Sequence, residues 1–365
     1  MRIGITGVDG LLGWHLRCFL YSRKDMLVRG AGRDVFASPE RLKEFAASCD
    51  AIVHLAGMNR GPDAEVVATN VALTESLLAA CDAAGAAPHI VFSSSTRIFA
   101  GTPYGESKKK CAALISEWAV KRGARFTNLV LPNIFGEGGK PFYNSAVSTF
   151  CYQLANGQEP KIIEDNEIDI LHAQRVAALV FAALEQGNSG ELSPKGDIFR
   201  VSALLARLKT LAADYSEQIF PDLSSPSDLD LFNTYRSYLF PARYPVSIAK
   251  RSDERGSVIE AVKGRVGGQT FFSTTVPGVT RGHHYHTRKI ERFLVVKGSA
   301  LVKVRKLFSR DTAEFRVDGE HPGYIDMPAL HTHSITNTGK SELITLFWTN
   351  EIFDPEMPDT YPETV

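Results

Sequence analysis

The sequence carries no excess charge of either sign, few cysteines and no long apolar run. Lys plus Arg and Asp plus Glu number 41 each among 365 residues, so no general affinity for nucleic acid or another polyanion is implied. The five cysteines (Cys18, Cys49, Cys81, Cys111 and Cys151) all fall in the first half, are odd in number and lack metal-binding spacing. That usage fits reduced thiols of a cytoplasmic protein. No apolar run reaches membrane-spanning length, and the chain opens directly into a strand. Neither a membrane span nor a signal peptide is therefore expected. What the chain does have is length, and 365 residues are too many for one typical core. Two domains are expected.

The most specific spacing lies near the C-terminal end, as Gly278, His284, His286, Glu291 and Gly298. His284 and His286, two apart, share one face of a strand. Glu291 has the wrong parity for the same strand, so a turn or bulge around residues 287–289 is expected to bring it back beside them. Downstream, Pro328, His331, His333 and Asn337 offer a third imidazole on another strand. Three neutral nitrogens and one carboxylate suit a divalent transition metal, with zinc expected, and such sets commonly leave a position for water or substrate. The alternative is a set of packed histidines without metal. The spacing resembles the two signature boxes of the cupin family, with Leu330 where the second box has glycine. The resemblance implies an all-β barrel whose ligands are His284, His286, Glu291 and His333, with His283 and His331 outside the shell.

At the other end, residues 1–6 form a short apolar strand, Gly7, Gly10 and Gly13 follow, and residues 11–21 read as a helix. A strand, a glycine turn and a helix N-terminus place free amides and the helix dipole against a dinucleotide pyrophosphate. The second strand ends at Gly32-Arg33-Asp34 rather than at an acidic residue alone. Arginine suits a 2′-phosphate, so NADP(H) is expected over NAD(H), with Asp34 the competing ribose ligand. Tyr104 and Lys108, four apart on one helical face, bring a phenol and an ammonium to the same cofactor. The ammonium favours the phenolate, and the tyrosine can shuttle a proton while hydride moves.

These residues resemble the extended short-chain dehydrogenase/reductases that act on nucleotide sugars. The resemblance implies cofactor contacts at Gly7, Gly10, Leu11, Leu12, Gly13, Leu55, Ala56 and Gly57, and catalysis by Ser95, Tyr104 and Lys108. It also places Asn133 in a segment that contacts the sugar diphosphate. In the β half, Asp253 and Arg255 resemble the Asp-x-Arg-Gly of sugar-epimerase cupins and imply substrate binding. Helices are expected to dominate from Pro141 to about Phe240, with Rossmann periodicity lost and a sugar-binding lobe in its place. Residues 231–244 read as a linker. The expected architecture is an α/β domain over residues 1–245 and an all-β domain over 246–365.

From end to end the chain resembles bifunctional capsular-polysaccharide enzymes of the UDP-N-acetyl-L-fucosamine pathway. That resemblance implies C-3 epimerisation of a UDP-2-acetamido-2,6-dideoxy-4-hexulose by the cupin and reduction of the C-4 ketone with NADPH. The product would be UDP-2-acetamido-2,6-dideoxy-L-talose, made by a cytoplasmic homodimer. The alternative is a 4-keto-sugar reductase whose barrel only binds sugar or dimerises. Lys297, His331, Tyr324 and Asp326 are all open as the base for C-3.

Overall fold

The computed structural model describes residues 1–23 and 25–365, which divide into two compact units. Residues 1–135 with 167–199 form one unit, and residues 136–166 with 200–365 form the other.

The first unit is built on short parallel strands, apolar and buried from both sides except at the exposed edge strand Leu27–Ala31. They are β1 (Arg2–Thr6), β2 (Leu27–Ala31), β3 (Ala51–His54), β4 (His89–Ser95) and β5 (Phe126–Leu131). Helices α1 (Leu11–Tyr21), α2 (Arg33–Phe36), α3 (Pro39–Ala47), α4 (Asp63–Ala84) and α5 (Pro103–Arg122) connect them. Two apolar clusters sandwich the sheet, one containing Phe45, Leu77 and Ile115, the other Leu16, Val176 and Val180. The parallel register pairs Thr6 with both Ala31 and His54, and His54 with Phe92. The loops after the first four strands therefore gather along one sheet edge, where α/β proteins of this kind hold ligands. By length and composition α4 is apolar enough to cross a membrane, contrary to the expectation from apolar runs. Its buried Val71, Leu77, Leu78 and Cys81 pack with residues of α3 and α5, as in a core helix.

Beyond residue 131 the structure corrects the expected plan. After β6 (Asn133–Phe135) the chain leaves the first unit, forms α6 (Ala146–Ala155), and returns as β7 (Glu167–His172), α7 (Ala173–Gln186), β8 (Gly190–Leu192) and β9 (Asp197–Arg200). The six-stranded order is β2-β1-β3-β4-β5-β8. Rossmann character thus resumes where it was expected to be lost. The sixth strand is only Gly190-Glu-Leu192, too short to show periodicity. The helix that buries the sheet's second face, α7, does so through Val176, Ala177, Val180 and Leu184.

The second unit does not begin at residue 245. Helices α8 (Val201–Ser216) and α9 (Pro226–Ser237) belong with the β structure, and α9 includes the first half of the expected linker. Between and after these helices come β10 (Ile219–Phe220), β11 (Val246–Ser247), β12 (Lys250–Asp253), β13 (Gly256–Ile259) and β14 (Lys263–Gly264). The main strands are β15 (Gln269–Thr275), β16 (Thr280–Tyr285), β17 (Glu291–Lys297), β18 (Ser299–Lys306) and β19 (Thr312–Asp318). They continue through β20 (Gly323–Met327), β21 (His331–Asn337), β22 (Leu343–Thr349) and β23 (Tyr361–Pro362). Two five-stranded sheets result, β11-β20-β17-β22-β15 and β19-β18-β21-β16-β23. They share one core that includes Phe293, Val295, Val302, Ile335 and Phe347.

Strand parity explains why the helices attach. Arg292 pairs with Asp326 and Trp348 across β17, so these three point away from the face that carries Glu291 and Phe293. Arg292 and Asp326 form a buried two-pronged ion pair with bonds of 2.6 and 2.9 Å. Tyr215 of α8 donates to Asp326 at 2.6 Å, Arg236 of α9 donates to the Met327 carbonyl at 2.9 Å, and Phe220 stacks on Trp348 at 4.0 Å.

Candidate active site and metal centre

In the first unit the glycine turn is held by backbone contacts that leave no room for side chains. Gly7 adopts φ +65°, and a Cβ there would lie 2.8 Å from the Ala56 nitrogen. Gly10 caps α1 and has no side chain to satisfy the first amides, while Gly10 N donates to the Gly7 carbonyl at 3.0 Å. Leu11 and Leu12 begin the helix. Exposed helix amides with no side-chain cap form a site for a phosphate. At the end of β2, Gly32 leads into exposed Arg33. The neighbouring Asp34 is tied to Arg41 at 2.6 Å, and that hydrogen bond, partly offset by burial, lowers its carboxyl below the ordinary value.

Leu55, Ala56 and Gly57 follow β3 in a loop whose shape depends on residues without a sequence motif. Thr6 Oγ1 accepts from the Leu55 and Ala56 amides at 3.1 Å each and lies 2.8 Å from His54 Nδ1. With both amides donating to Thr6, its hydroxyl proton goes to His54, whose Nε2–H is left for Thr74 at 3.3 Å. Burial pushes the His54 imidazole down to about 3, so it is neutral and fixed in one tautomer. Asn70 of α4 clamps the far side, accepting from Met58 N at 2.6 Å and donating to Met58 O and Ser107 Oγ at 2.9 Å. The sequence gives no sign of Thr6, Asn70 and Ser107, because single polar residues inside apolar elements carry no periodic signal.

Ser95 ends β4, and its hydroxyl accepts from Arg97 N at 3.2 Å. Tyr104 and Lys108 lie in the first turns of α5, with the Lys108 ammonium 5.7 Å from the Tyr104 ring centre. Lys108 is buried and donates to the Ser93 carbonyl at 2.7 Å. Burial pushes its ammonium down to about 8, because the site disfavours charge. Asn133, on β6, donates its amide to the Asp169 carbonyl at 3.0 Å.

In the second unit His284, His286, Glu291 and His333 converge, their nearest donor atoms all within 4.8 Å of one another. A β-bulge between Gly282 and His284, with His283 at φ +56°, sets the direction of the first histidine. The chain then crosses from β16 in one sheet to β17 in the other, and this crossing restores the parity of Glu291. Glu291 Oε2 lies 3.1 Å from His286 Nε2, 3.2 Å from His333 Nε2 and 3.7 Å from His284 Nε2, and the last two nitrogens are 3.2 Å apart. Metal–ligand bonds of about 2.0–2.1 Å in a tetrahedral site put adjacent donors roughly 3.3–3.4 Å apart. The donor set therefore has the size and chemistry of a transition-metal shell. His286 Nδ1 and His333 Nδ1 face the carbonyls of Asp359 and His331 at 2.6 and 3.2 Å, which turns both Nε2 lone pairs toward Glu291.

His331 stands outside the cluster, its Nδ1 against the Ala329 carbonyl at 2.8 Å and its ring against Phe240. Leu330 holds φ +61°, the left-handed conformation that glycine favours, and its amide donates to the His286 carbonyl at 2.7 Å. Tyr324 and Asp326 are removed as bases for a substrate beside the cluster, since parity points both to the opposite sheet face. Asp253 and Arg255 sit at the tip of the β12–β13 hairpin and pair with each other at 2.6 Å, the arrangement of a closed turn.

The first unit has a Rossmann-type dinucleotide-binding fold. Residues 3–200, more than half of the chain, match the NAD dependent epimerase/dehydratase family, and the chain belongs to that family. Residues 251–361 match the polysaccharide biosynthesis C-terminal domain. The chain is 32% identical over 367 residues to a UDP-2-acetamido-2,6-beta-L-arabino-hexul-4-ose reductase of Pseudomonas aeruginosa, covering 99% of this chain and 98% of that one. It is also similar to the capsular polysaccharide assembling protein CapF of Staphylococcus aureus, at 31% identity and TM-score 0.64 with both chains covered in full. A structure of CapF with the inhibitor 3-isopropenyl-tropolone aligns at 29% identity and TM-score 0.60, again over both whole chains.

Proposed function

We propose that this chain is a bifunctional nucleotide-sugar enzyme of surface-polysaccharide synthesis. Its β domain, read as a metal-binding cupin, epimerises C-3 of a UDP-2-acetamido-2,6-dideoxy-4-hexulose. Its α/β domain then reduces the C-4 ketone with NADPH to UDP-2-acetamido-2,6-dideoxy-L-talose. The observation that carries the reading is the presence of both a Tyr104–Lys108 pair and a three-histidine, one-glutamate cluster in one chain. The chain aligns along its whole length with a reductase of a UDP-linked 4-ketosugar. NADPH and UDP-sugars are cytoplasmic metabolites, so the activity belongs there. A homodimer fits edge strand β15, whose Phe272 is 72% exposed.

In the reductive half, Tyr104 would give its proton to the C-4 oxygen that Ser95 would orient, with NADPH, when bound, supplying the hydride. Lys108 would hold the nicotinamide ribose and stabilise the phenolate that remains. Gly7, Gly10 and Gly13 let the pyrophosphate approach the α1 amides, with Leu11, Leu12, Leu55, Ala56 and Gly57 lining the cofactor. In the β half, His284, His286, Glu291 and His333 hold the metal. When bound, a divalent ion supplies Lewis-acid polarisation of the C-4 ketone, which acidifies the C-3 proton. A tropolone presents two adjacent oxygens, as a metal chelator does, so its action on the relative agrees with this assignment. On the substrate side, Asn133 lies at the diphosphate. Asp253 and Arg255 would exchange their exposed pair for the substrate.

Two substitutions test the binding assignments. Arg33→Ala should erase much of a preference for NADPH over NADH, a change of about tenfold to a hundredfold in relative affinity. Unchanged selectivity would move the 2′-phosphate contact elsewhere. Metal analysis after purification without added metal or affinity tag should show one zinc per chain, lost in His333→Ala and kept in His331→Ala. Retention in the first variant or loss in the second would contradict the ligand set.

A further inference from the structure

We propose that Asp359 is a positioning residue for the metal centre, so that the C-terminal segment forms part of the site rather than a tail beyond it. The inference rests on the reading of the histidine–glutamate cluster as a metal site. His286 and Glu291 are separated by one short crossing between sheets, and every amide from Thr287 to Lys289 ends on one buried carboxylate. Asp359 Oδ1 accepts from Thr287 N at 2.9 Å and Thr287 Oγ1 at 2.6 Å, and Oδ2 accepts from Arg288 N at 3.0 Å and Lys289 N at 2.8 Å. The nearest guanidinium nitrogen, from Arg288, is 3.9 Å away, so backbone donors rather than a cation hold this carboxylate.

The same residue reaches the ligand directly. Its backbone carbonyl faces His286 Nδ1 at 2.6 Å, which places that proton on Nδ1 and leaves Nε2 to bind. Lys289 Nζ fastens the segment by donating to the Pro358 carbonyl and Thr360 Oγ1 at 3.0 Å each. Beyond it, β23 pairs with β16, Tyr361 opposite Tyr285 and Pro362 opposite His284. Asp359 thus fixes the tautomer of one ligand and the span that sets its distance from another. Asparagine there keeps the backbone carbonyl but offers one acceptor oxygen where three amides and a hydroxyl converge.

Full-length Asp359→Asn should bind zinc about 10- to 100-fold more weakly than wild type, measured by competition with a chromophoric chelator. The visible spectrum of the cobalt-substituted variant should change with the altered ligand geometry. Asp354→Asn, in the same segment but capping only Glu356 N, should match wild type in both measurements. NADPH binding, a readout independent of the metal, should be unchanged in both variants. Thr287→Val removes a single hydroxyl bond to Asp359 and should weaken zinc several-fold, which keeps the test open if Asp359→Asn misfolds. Wild-type zinc affinity and cobalt spectrum in Asp359→Asn, even with lowered thermal stability, would reduce the residue to a structural anchor and overturn the inference. If wild type itself binds neither ion, the metal reading fails and the inference falls with it.

Discussion

Tyr104→Phe should lower NADPH-dependent reduction of the 4-ketosugar by about 10²- to 10⁴-fold, the range expected when a positioned proton donor is removed. The hydroxyl is the only group lost. Lys108 keeps its bond to the Ser93 carbonyl, and Gly105, whose neighbours allow no Cβ, still fixes the start of α5. Cofactor affinity should therefore stay near wild type while kcat falls. A variant with wild-type turnover would mean that the proton comes from elsewhere. A variant that loses NADPH binding would mean that Tyr104 holds the cofactor rather than the ketone.

Asp326→Ala should destabilise the second unit by about 3–5 kcal/mol, a large part of a typical domain's stability. The loss exceeds that of a surface pair because the Arg292 guanidinium is left buried without its counter-ion. Tyr215 loses its acceptor in the same step. Denaturant unfolding should show the midpoint falling for the second unit, while NADPH binding by the first unit persists. A change below about 1 kcal/mol would show that water or a rearranged side chain replaces the carboxylate, and that the helices are held chiefly by Phe220 on Trp348.

The sequence showed the parts of the site that depend on local spacing. The glycine turn, the Tyr104–Lys108 pair and the His284, His286 and Glu291 set are fixed by separations of a few residues, and the structure brings each group together, with His333 joining the last from β21. What escaped depends on pairing between distant segments. A boundary at 245 follows from the end of the helical stretch and the linker, whereas attachment of the helices is decided by Arg292, Asp326 and Tyr215, which lie far apart in sequence. The same strand parity that brings Glu291 to the histidines turns Asp326 away from them, and this requires the register of β17 against β20. Asp359 lies 73 residues from His286 and meets it through a backbone carbonyl, which no side-chain motif can encode. Leu330 shows the converse, since a leucine here holds the left-handed conformation of the glycine that the cupin resemblance expects.

The division of labour between the two halves is tested most directly by following the C-3 proton of the 4-ketosugar in deuterium oxide with Tyr104→Phe. Nothing in the β domain is altered in that variant, so epimerisation at the His284, His286, Glu291 and His333 cluster, as proposed, should not depend on Tyr104. The expected result is deuterium incorporation at C-3 at the wild-type rate with almost no NADPH consumed, and loss of that exchange when His333→Ala is added. Abolition of exchange by Tyr104→Phe alone would place epimerisation in the reductase pocket and leave the β domain a support.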